Sequence, residues 1–457
     1  MRKYNQIYRF LSLNSFLRKR ETWLLFALGI FLQILRNPIQ VFEPALYAED
    51  GAWVSMILNY GLPFTLANGR AEYPIWGPIL LDWIGVLTSK FFFGNDIKNI
   101  ANFTAFASFV FFSFVALLSY KNLRDITGSR VAGGLSFLLI IFIPLSEVNT
   151  TIGHNLQWGH IAPFVSCMLF LRRHKFKNPL LHDVFQALLC LTLPIVLLNF
   201  LMYVAVYLLR VKFIDGCVIV NFRLLIKNLR SNLFLFSILG LAIAFFIFRL
   251  DFSMNKSGSA EAIHISGALE LVVFRVFLFQ FLGYLTQHFN DFLTLLCFIV
   301  VFLIPSFAFN FWRRLDRDQI FVILCFLGNL IVFVLLRGGI ARVLSYQDTF
   351  IHFYFFGLAM YSIFLFSIII ARSEKLVFPL SVVILVVQVA VNFNYIVQWQ
   401  PPRPSFISWS SSITEGYVRN CGNLECSVPA TTHFYIQSNP SGANLHIPSK
   451  LIESSVK

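Results

Sequence analysis

Nine apolar runs, each close to the length that crosses a bilayer, constrain this sequence more than any other feature. They cover residues 23–42, 100–119, 131–147, 156–171, 232–249, 292–311, 320–336, 351–371 and 376–396. A helical crossing takes about 20 apolar residues, so each run reads as a span. Of the 457 residues 57% are hydrophobic, 54 are phenylalanine and only 13% are charged. No soluble fold of this length hides so much apolar surface, and lipid is the expected solvent of most of the chain. The first run follows six cations (Arg2, Lys3, Arg9, Arg18, Lys19 and Arg20) with no small-residue cleavage site after it. It reads as an uncleaved span and not as a signal peptide.

Charge sets the topology. Residues 75–93 contain Asp82 in a short apolar stretch after Pro74, and residues 265–285 carry Glu270 and Arg275 inside the apolar pattern. Both read as helices lying in or dipping into the interface. With both left outside, loops 120–130, 172–183 and 210–230 share one face and carry twelve Lys or Arg against three acids. Counting both as crossings would put all twelve cations outside, against the positive-inside rule. The apolar run 184–209 has Arg172-Arg173-His174-Lys175 before it and Arg210-Val211-Lys212 after it, so both flanks belong in the cytoplasm. Pro194 and Asn199 offer a break, which predicts two short helices forming a hairpin that protein, not lipid, must surround.

The expected fold class is an all-α polytopic membrane protein of about 11 transmembrane segments, the hairpin counting as two. Residues 1–396 form the transmembrane part with a first outer loop at 43–99, and 397–457 form an outer tail. The N-terminus is placed in the cytoplasm. The tail turns polar after Trp399, is too small for an independent core, and is expected to pack on the outer face. The net charge of +14 would suit nucleic acid, but the cations sit in short loops between apolar runs and not on one soluble face. That distribution argues for a bilayer and against a nucleic-acid partner.

With this topology the uncommon polar residues gather outside. The first loop holds Arg36, Glu43, the adjacent pair Glu49-Asp50, Arg70, Glu72 and Asp82. The second holds Glu147, His154, Asn155, Gln157 and His160, and a later one Arg337, Arg342, Tyr346, Asp348 and His352. After the acidic pair, Trp53, Met56, Ile57 and Tyr60 recur at helical spacing, so a short amphipathic surface helix is expected over 51–60. Asp50 then has two readings. It N-caps that helix, or it accepts the proton of an attacking sugar hydroxyl as a general base, with Glu49 beside it. Arg337 and Arg342 either snorkel to headgroups or hold a lipid-linked phosphate bidentately. Arg70, Glu72, His154 and Tyr346 are further candidates for substrate or phosphate contact. His154 and His160 are six apart, a spacing more often structural than metal-ligating, so a divalent metal is unsupported and no metal site is assigned.

Cys167, Cys190, Cys217, Cys297 and Cys325 are dispersed and read as small packing residues. Cys421 and Cys426 lie together in the tail, where a local disulfide is the better reading over two free thiols if that side is oxidising.

The run Pro44-Ala45-Leu46-Tyr47-Ala48-Glu49-Asp50-Gly51 resembles the acidic first-loop motif of GT-C superfamily glycosyltransferases. The Pro-containing stretch from Tyr73-Pro74-Ile75-Trp76 to Gly94-Asn95-Asp96 stands where that family has one. Phe279-Gln280-Phe281-Leu282-Gly283-Tyr284 and the Cys421…Cys426-Ser427-Val428-Pro429 tail look like its bacterial members. Size, phenylalanine content and the hairpin are similar to phage-type serotype-converting glucosyltransferases that decorate O-antigen. The resemblance implies a hexose donor on a polyprenyl phosphate (undecaprenyl phosphate in bacteria), a glycan acceptor, and inversion at the anomeric carbon. It implies a bacterial inner-membrane location with the tail in the periplasm. It also implies a first-loop acid as base, a role carried here only by Asp50 and Glu49, with Arg337 or Arg342 receiving the phosphate. The later loops lack the second acidic motif of metal-dependent oligosaccharyltransferases. A flippase for a lipid-linked sugar, or an O-antigen polymerase or ligase, are the alternative readings.

Overall fold

The structure is a computed structural model that describes residues 20–42, 44, 46, 48–69, 74–94, 96–144, 160–173, 179–209, 212–214, 217–219, 222–249, 272–282, 291–311, 315–337, 355–373, 375–396, 408–421, 433–437 and 444–456. Helix α1 covers 20–36, and a short turn of helix, Ile39–Phe42, follows Pro38. The chain continues through α2 (Ala48–Asn68), α3 (Trp76–Phe93), α4 (Ile100–Thr127), α5 (Arg130–Ile141), α6 (Ala162–Phe170), α7 (Pro179–Cys190) and α8 (Val196–Tyr203). Then come α9 (Phe222–Arg249), α10 (Asp291–Phe298), α11 (Arg317–Arg337), α12 (Phe356–Ala371), α13 (Val377–Ile396), α14 (Trp409–Cys421) and α15 (Ser449–Val456). Wider π-type turns extend α8 over Val204–Leu208 and α10 over Ile299–Leu303, and another spans Val272–Leu278.

Each apolar run overlaps one of these helices over its described residues, and the first is broken at Asn37-Pro38. The all-α expectation needs one correction, because two antiparallel two-stranded hairpins are present. One pairs β1 (Lys212–Ile214) with β2 (Cys217–Ile219), and the other pairs β3 (His433–Gln437) with β4 (Asn444–Pro448). Both sit in segments that the charge pattern places outside the bilayer, where strand edges can find water. Among the described residues, α4 is the one helix long and apolar enough, by length and composition, to cross a membrane. Shorter apolar helices include Arg130–Ile141, Pro179–Cys190, Phe356–Ala371 and Val377–Phe393. Large apolar side chains face outward along the bundle, among them Phe91 (82% exposed), Phe292 (74%), Phe307 (70%) and Phe378 (64%). Water does not support so much exposed aromatic surface, and lipid does.

Helix α4 is the hub, packing on α3, α5, α6 and α12. Its start is capped loosely and its end firmly: Gly128 adopts a left-handed φ of 72° and returns its N–H to the Arg124 carbonyl. Apolar burial alone does not join helices in lipid, so small and polar residues mark the crossings. A Cβ at Gly85 would lie 2.1 Å from Thr104 Oγ1, which fixes how closely α3 approaches α4. Ser119 and Ser136 share a 2.6 Å hydrogen bond between α4 and α5, and Asn122 Nδ2 donates to the Met168 carbonyl of α6 at 2.8 Å.

The run 184–209 does turn back. The helix breaks at residues 191–195 around Pro194, while Asn199 falls inside α8. His182 at the start of α7 and Tyr203 at the end of α8 both meet Phe170, at 5.5 Å edge-on and 4.7 Å stacked. Asn199 is buried at the hairpin and donates to the Pro163 carbonyl at 2.5 Å while accepting from Asn329 at 2.9 Å.

The helix ends that charge places in the cytoplasm are joined by ion pairs. Arg124 pairs with Glu21 at 3.2 Å, Arg172 with Asp125 at 2.9 Å, and Arg173 with Asp183 at 3.1 Å. His182 Nδ1 contacts Asp183 at 2.8 Å, Tyr207 donates to Asp318 at 2.6 Å, and Arg372 donates to Gln319 at 2.9 Å. Burial holds the His182 imidazole below its ordinary value of 6.5 against the pull of Asp183. Burial alone would raise Asp183, but His182 and Arg173 outweigh it and keep the carboxyl below its ordinary value.

Both shifts make the unfolded chain the better proton acceptor at low pH, so stability rises with pH through each window. We expect the unfolding temperature in detergent to fall as pH drops below 6.5, and His182→Gln to flatten that part of the curve. Arg173→Ala leaves Asp183 buried with one charged partner fewer and should cost about 2–3 kcal/mol by thermal unfolding.

Candidate functional site

The first loop, expected outside, forms a clamp of two helical pieces. The α2 segment starts at Ala48 and bends at Gly61, whose φ of 82° only glycine adopts without strain. The bend sends 62–68 back toward the helix start. Trp53 Nε1 then donates to the Gly69 carbonyl at 2.8 Å, and Trp76 Nε1 donates to the Leu66 carbonyl at 3.1 Å. These carbonyls belong to a helix C-terminus, which has no intrahelical donors for its last turn. The two indoles supply them.

Asp50 lies inside this helix as its third residue, not at the cap, and its side chain is wholly buried. The expected cap is therefore corrected: the helix begins at Ala48, three residues before the expected start at Gly51. The buried face runs through Asp50, Trp53, Val54 and Ile57, and Tyr60 is 65% exposed, stacked loosely on Phe64. The expected stripe of Trp53, Met56, Ile57 and Tyr60 is thus rotated: Gly51 and Ser55 are buried with Trp53 and Ile57, while Met56 is only partly buried. Glu49 lies in the same first turn, one residue before Asp50.

Sequence reasoning gave Asp82 no role, yet it is wholly buried in α3. A Cβ at Gly69 would meet the Ile79 side chain at 2.5 Å and the Trp53 ring at 3.4 Å, so α3 and α2 meet there. Asp50 is one turn before Trp53 and Asp82 one turn after Ile79. A lone acid in an apolar run was the available signal.

The tail locks this clamp. Trp409 N donates to the Pro44 carbonyl and Trp409 Nε1 to the Ile97 carbonyl, both at 2.8 Å. Ile97 N in turn donates to Ser455 Oγ at 2.9 Å, and β4 packs on α2. Trp409, Ile413, Tyr417, Ile447 and Ile452 are buried, so the tail contributes core to the loop it covers. Arg36, also buried, donates to the Ile141 and Ile143 carbonyls at the end of α5, which is a capping role.

A second polar group includes Asn329, in the C-terminal half of α11. His160, Asn329 and Tyr361 line a small cavity of about 40 Å³ with Pro163 and Gly357. Tyr361 donates to the Pro163 carbonyl at 2.9 Å. Arg337 ends α11 two turns beyond Asn329. The helix of Arg337 packs on α8 and α12, whereas α2 packs on α3 and β4, so the acid and the arginine helix have different packing partners. Arg70, Glu72, His154, Arg342, Tyr346 and Cys426 lie outside the described residues. Cys421 ends α14. Cys167, Cys190 and Cys325 are buried thiols, in keeping with packing roles, and Cys297 is half-buried. Among the described residues no three His, Cys, Asp or Glu side chains gather as metal ligands.

No protein-family model matches the chain, and no curated protein matches it. Among solved structures it is similar to the Archaeoglobus fulgidus oligosaccharyltransferase in complex with Zn and sulfate, with a TM-score of 0.48, 14% identity, and cover of 88% of this chain and 56% of that one. The apo form of the same protein gives a TM-score of 0.45 at 15% identity, covering 84% of this chain and 56% of that one. The chain thus spans about half the length of these structures.

The indole bonds give a direct test. Trp53→Phe and Trp76→Phe each remove one donor from a helix-end carbonyl and should each cost about 1 kcal/mol by thermal unfolding. Phe at the partly buried Trp76 should be the milder change.

Proposed function

We propose that this chain is a polytopic membrane glycosyltransferase of GT-C type, with about 11 helices in the bilayer. Residues 1–396 form its catalytic part and 397–457 its outer tail, with the N-terminus in the cytoplasm of a bacterial inner membrane. The donor is a hexose, glucose by resemblance, on a polyprenyl phosphate, and the acceptor is an extracytoplasmic glycan such as O-antigen. The observation that carries this reading is Asp50, a fully buried carboxylate in the first turn of α2, three residues before Trp53, whose indole bonds the Gly69 carbonyl. It lies within the stretch 44–51 that resembles an acidic first-loop motif.

In this reading an acceptor hydroxyl oxygen attacks the anomeric carbon while the bond from that carbon to the phosphate oxygen breaks. Asp50 takes the hydroxyl proton, with Glu49 as the alternative base. The phosphate leaves with the electron pair, and Arg337 and Arg342 receive its charge. Attack opposite the leaving group inverts the anomeric centre. Arg70, Glu72, His154 and Tyr346 are proposed to contact the sugar or phosphate, and a Cys421–Cys426 disulfide to brace the tail.

A second reading follows from the place of Asp50 in the helix: its carboxylate only secures the helix start. Sugar transfer by purified protein, with radiolabelled polyprenyl-phosphate donor, separates the two. Asp50→Asn keeps a hydrogen-bonding side chain of the same shape and should lower transfer by about 100-fold or more with little change in unfolding temperature. Full activity in Asp50→Asn, Glu49→Gln and the double variant would overturn the assignment of the base. Absence of any covalent product from the unmodified protein would favour a flippase instead.

A further inference from the structure

A cavity of about 240 Å³ lies where the first loop, the start of α4 and the tail meet. Ile57 of α2, Val86 and Lys90 of α3, Asp96 and Ile97 of the connection into α4, and Leu451 of α15 line it. It therefore holds one ammonium, on the exposed Lys90, and one carboxylate, on the half-buried Asp96.

The wall that carries Asp96 is fixed by three side chains. Ser89 Oγ donates to the Asp96 carbonyl at 2.8 Å, Ile97 N donates to Ser455 Oγ at 2.9 Å, and Trp409 Nε1 donates to the Ile97 carbonyl at 2.8 Å. Lys98 N orients the carboxylate itself by donating to Asp96 Oδ1 at 2.8 Å. Among the described residues Oδ2 accepts no hydrogen bond and Lys90 has no ion pair. Two opposite charges thus share one cavity without meeting. A lone cation there would be repelled by Lys90 and a lone anion by Asp96. A ligand that carries both charges satisfies both.

The three residues after Lys90 set the level of the site. Phe91, Phe92 and Phe93 are 82%, 64% and 51% exposed. Three successive positions cover most of a helix's circumference, so the end of α3 presents aromatic carbon on several sides. Lipid accepts such a surface and water does not. A lysine just before it reaches headgroup level with its ammonium. Among the described residues no aromatic ring lines the cavity, so it lacks the stacking face that suits a sugar.

We propose that this cavity holds the headgroup of one zwitterionic phospholipid of the adjoining leaflet, its phosphate on Lys90 and its primary ammonium on Asp96 Oδ2. A primary ammonium donates hydrogen bonds to a carboxylate, whereas a trimethylammonium has none to give, so the site selects phosphoethanolamine over phosphocholine. The inference rests on membrane embedding and not on the transfer chemistry at Asp50.

The test uses the full chain purified in mild detergent and stripped of lipid. Phosphatidylethanolamine, phosphatidylcholine and phosphatidylglycerol of the same acyl chains, and soluble phosphoethanolamine, are added separately. Bound lipid is counted by native mass spectrometry, and protection is read by thermal shift. Phosphatidylethanolamine should be retained about tenfold over phosphatidylcholine, the effect of one charge-assisted hydrogen bond. Asp96→Asn keeps the Oδ1 acceptor for Lys98 N, and it should abolish that preference without changing the unfolding temperature of the lipid-free protein. Lys90→Gln should weaken retention of both lipids and leave the preference in place. Equal retention of phosphatidylethanolamine and phosphatidylcholine by the unmodified protein would overturn the proposal while leaving membrane embedding intact. Stronger retention of phosphatidylglycerol than of phosphatidylethanolamine would also overturn it, reducing Lys90 to a contact for any anionic lipid. Equal protection by soluble phosphoethanolamine would overturn the lipid as the source of the headgroup.

Discussion

The close approach of helices around α4 governs the rest of this structure. In lipid, an apolar helix face gains little by leaving solvent for a neighbour, so association depends on fit and on polar contacts that hydrocarbon cannot replace. The sequence supplies both along α4. Gly85 admits Thr104 where any Cβ would collide. Ser119 finds Ser136, and Asn122 reaches the Met168 carbonyl, so α5 and α6 are each pinned to α4 at a defined height. The positions of α3 and α6 then fix two walls of an apolar cavity that α4 and α7 also line, and α3 carries Asp82 into the protein.

The two ends of the bundle solve the same problem with different chemistry. Helix termini leave carbonyls and amides without partners, and these must be satisfied before a helix end can be buried. At the basic end the side chains mostly bind each other, through Arg173–Asp183–His182 and Tyr207–Asp318. At the outer end long donors bind main-chain carbonyls: Trp53, Trp76 and Trp409 through their indoles, and Arg36 through its guanidinium. Indoles and a guanidinium suit this task because they carry a donor at the tip of a large apolar or stacking body. This end is therefore held in large part by side-chain donors on main-chain carbonyls.

The helical elements were legible in the sequence, because each long apolar run overlaps a helix. The turn within 184–209 followed from cations on both flanks, and Pro194 marked its place. The lengths of α4 and α9 were not legible, since helices continue past the apolar run wherever polar residues are still good helix formers. The start of α2 was misplaced by three residues because Ala48 and Glu49 extend the helix toward the chain's entry, and a cap is only as visible as the boundary it marks. Asp82 was noticed as an oddity in a short apolar stretch and then left without a role. Only the packing of α3 on α2 and α4 shows that it is enclosed.

The tail shows why the candidate acid could not be weighed from its own neighbourhood. Pro44, just ahead of the acidic pair, accepts a hydrogen bond from the backbone of Trp409, and the same indole holds Ile97 beyond α3. One residue near the end of the chain thus fixes both edges of the first loop. Burial of Trp409, Ile413 and Tyr417 supplies apolar area that the short loop lacks, so loop and tail form one packed unit where neither has a core alone. A carboxylate held in such a unit has a fixed position relative to the helices behind it. Fixed placement is the property that acid–base chemistry on a membrane surface requires, because a base must meet its proton within hydrogen-bond reach. The polar tail, unremarkable as sequence, is in this sense part of what defines Asp50.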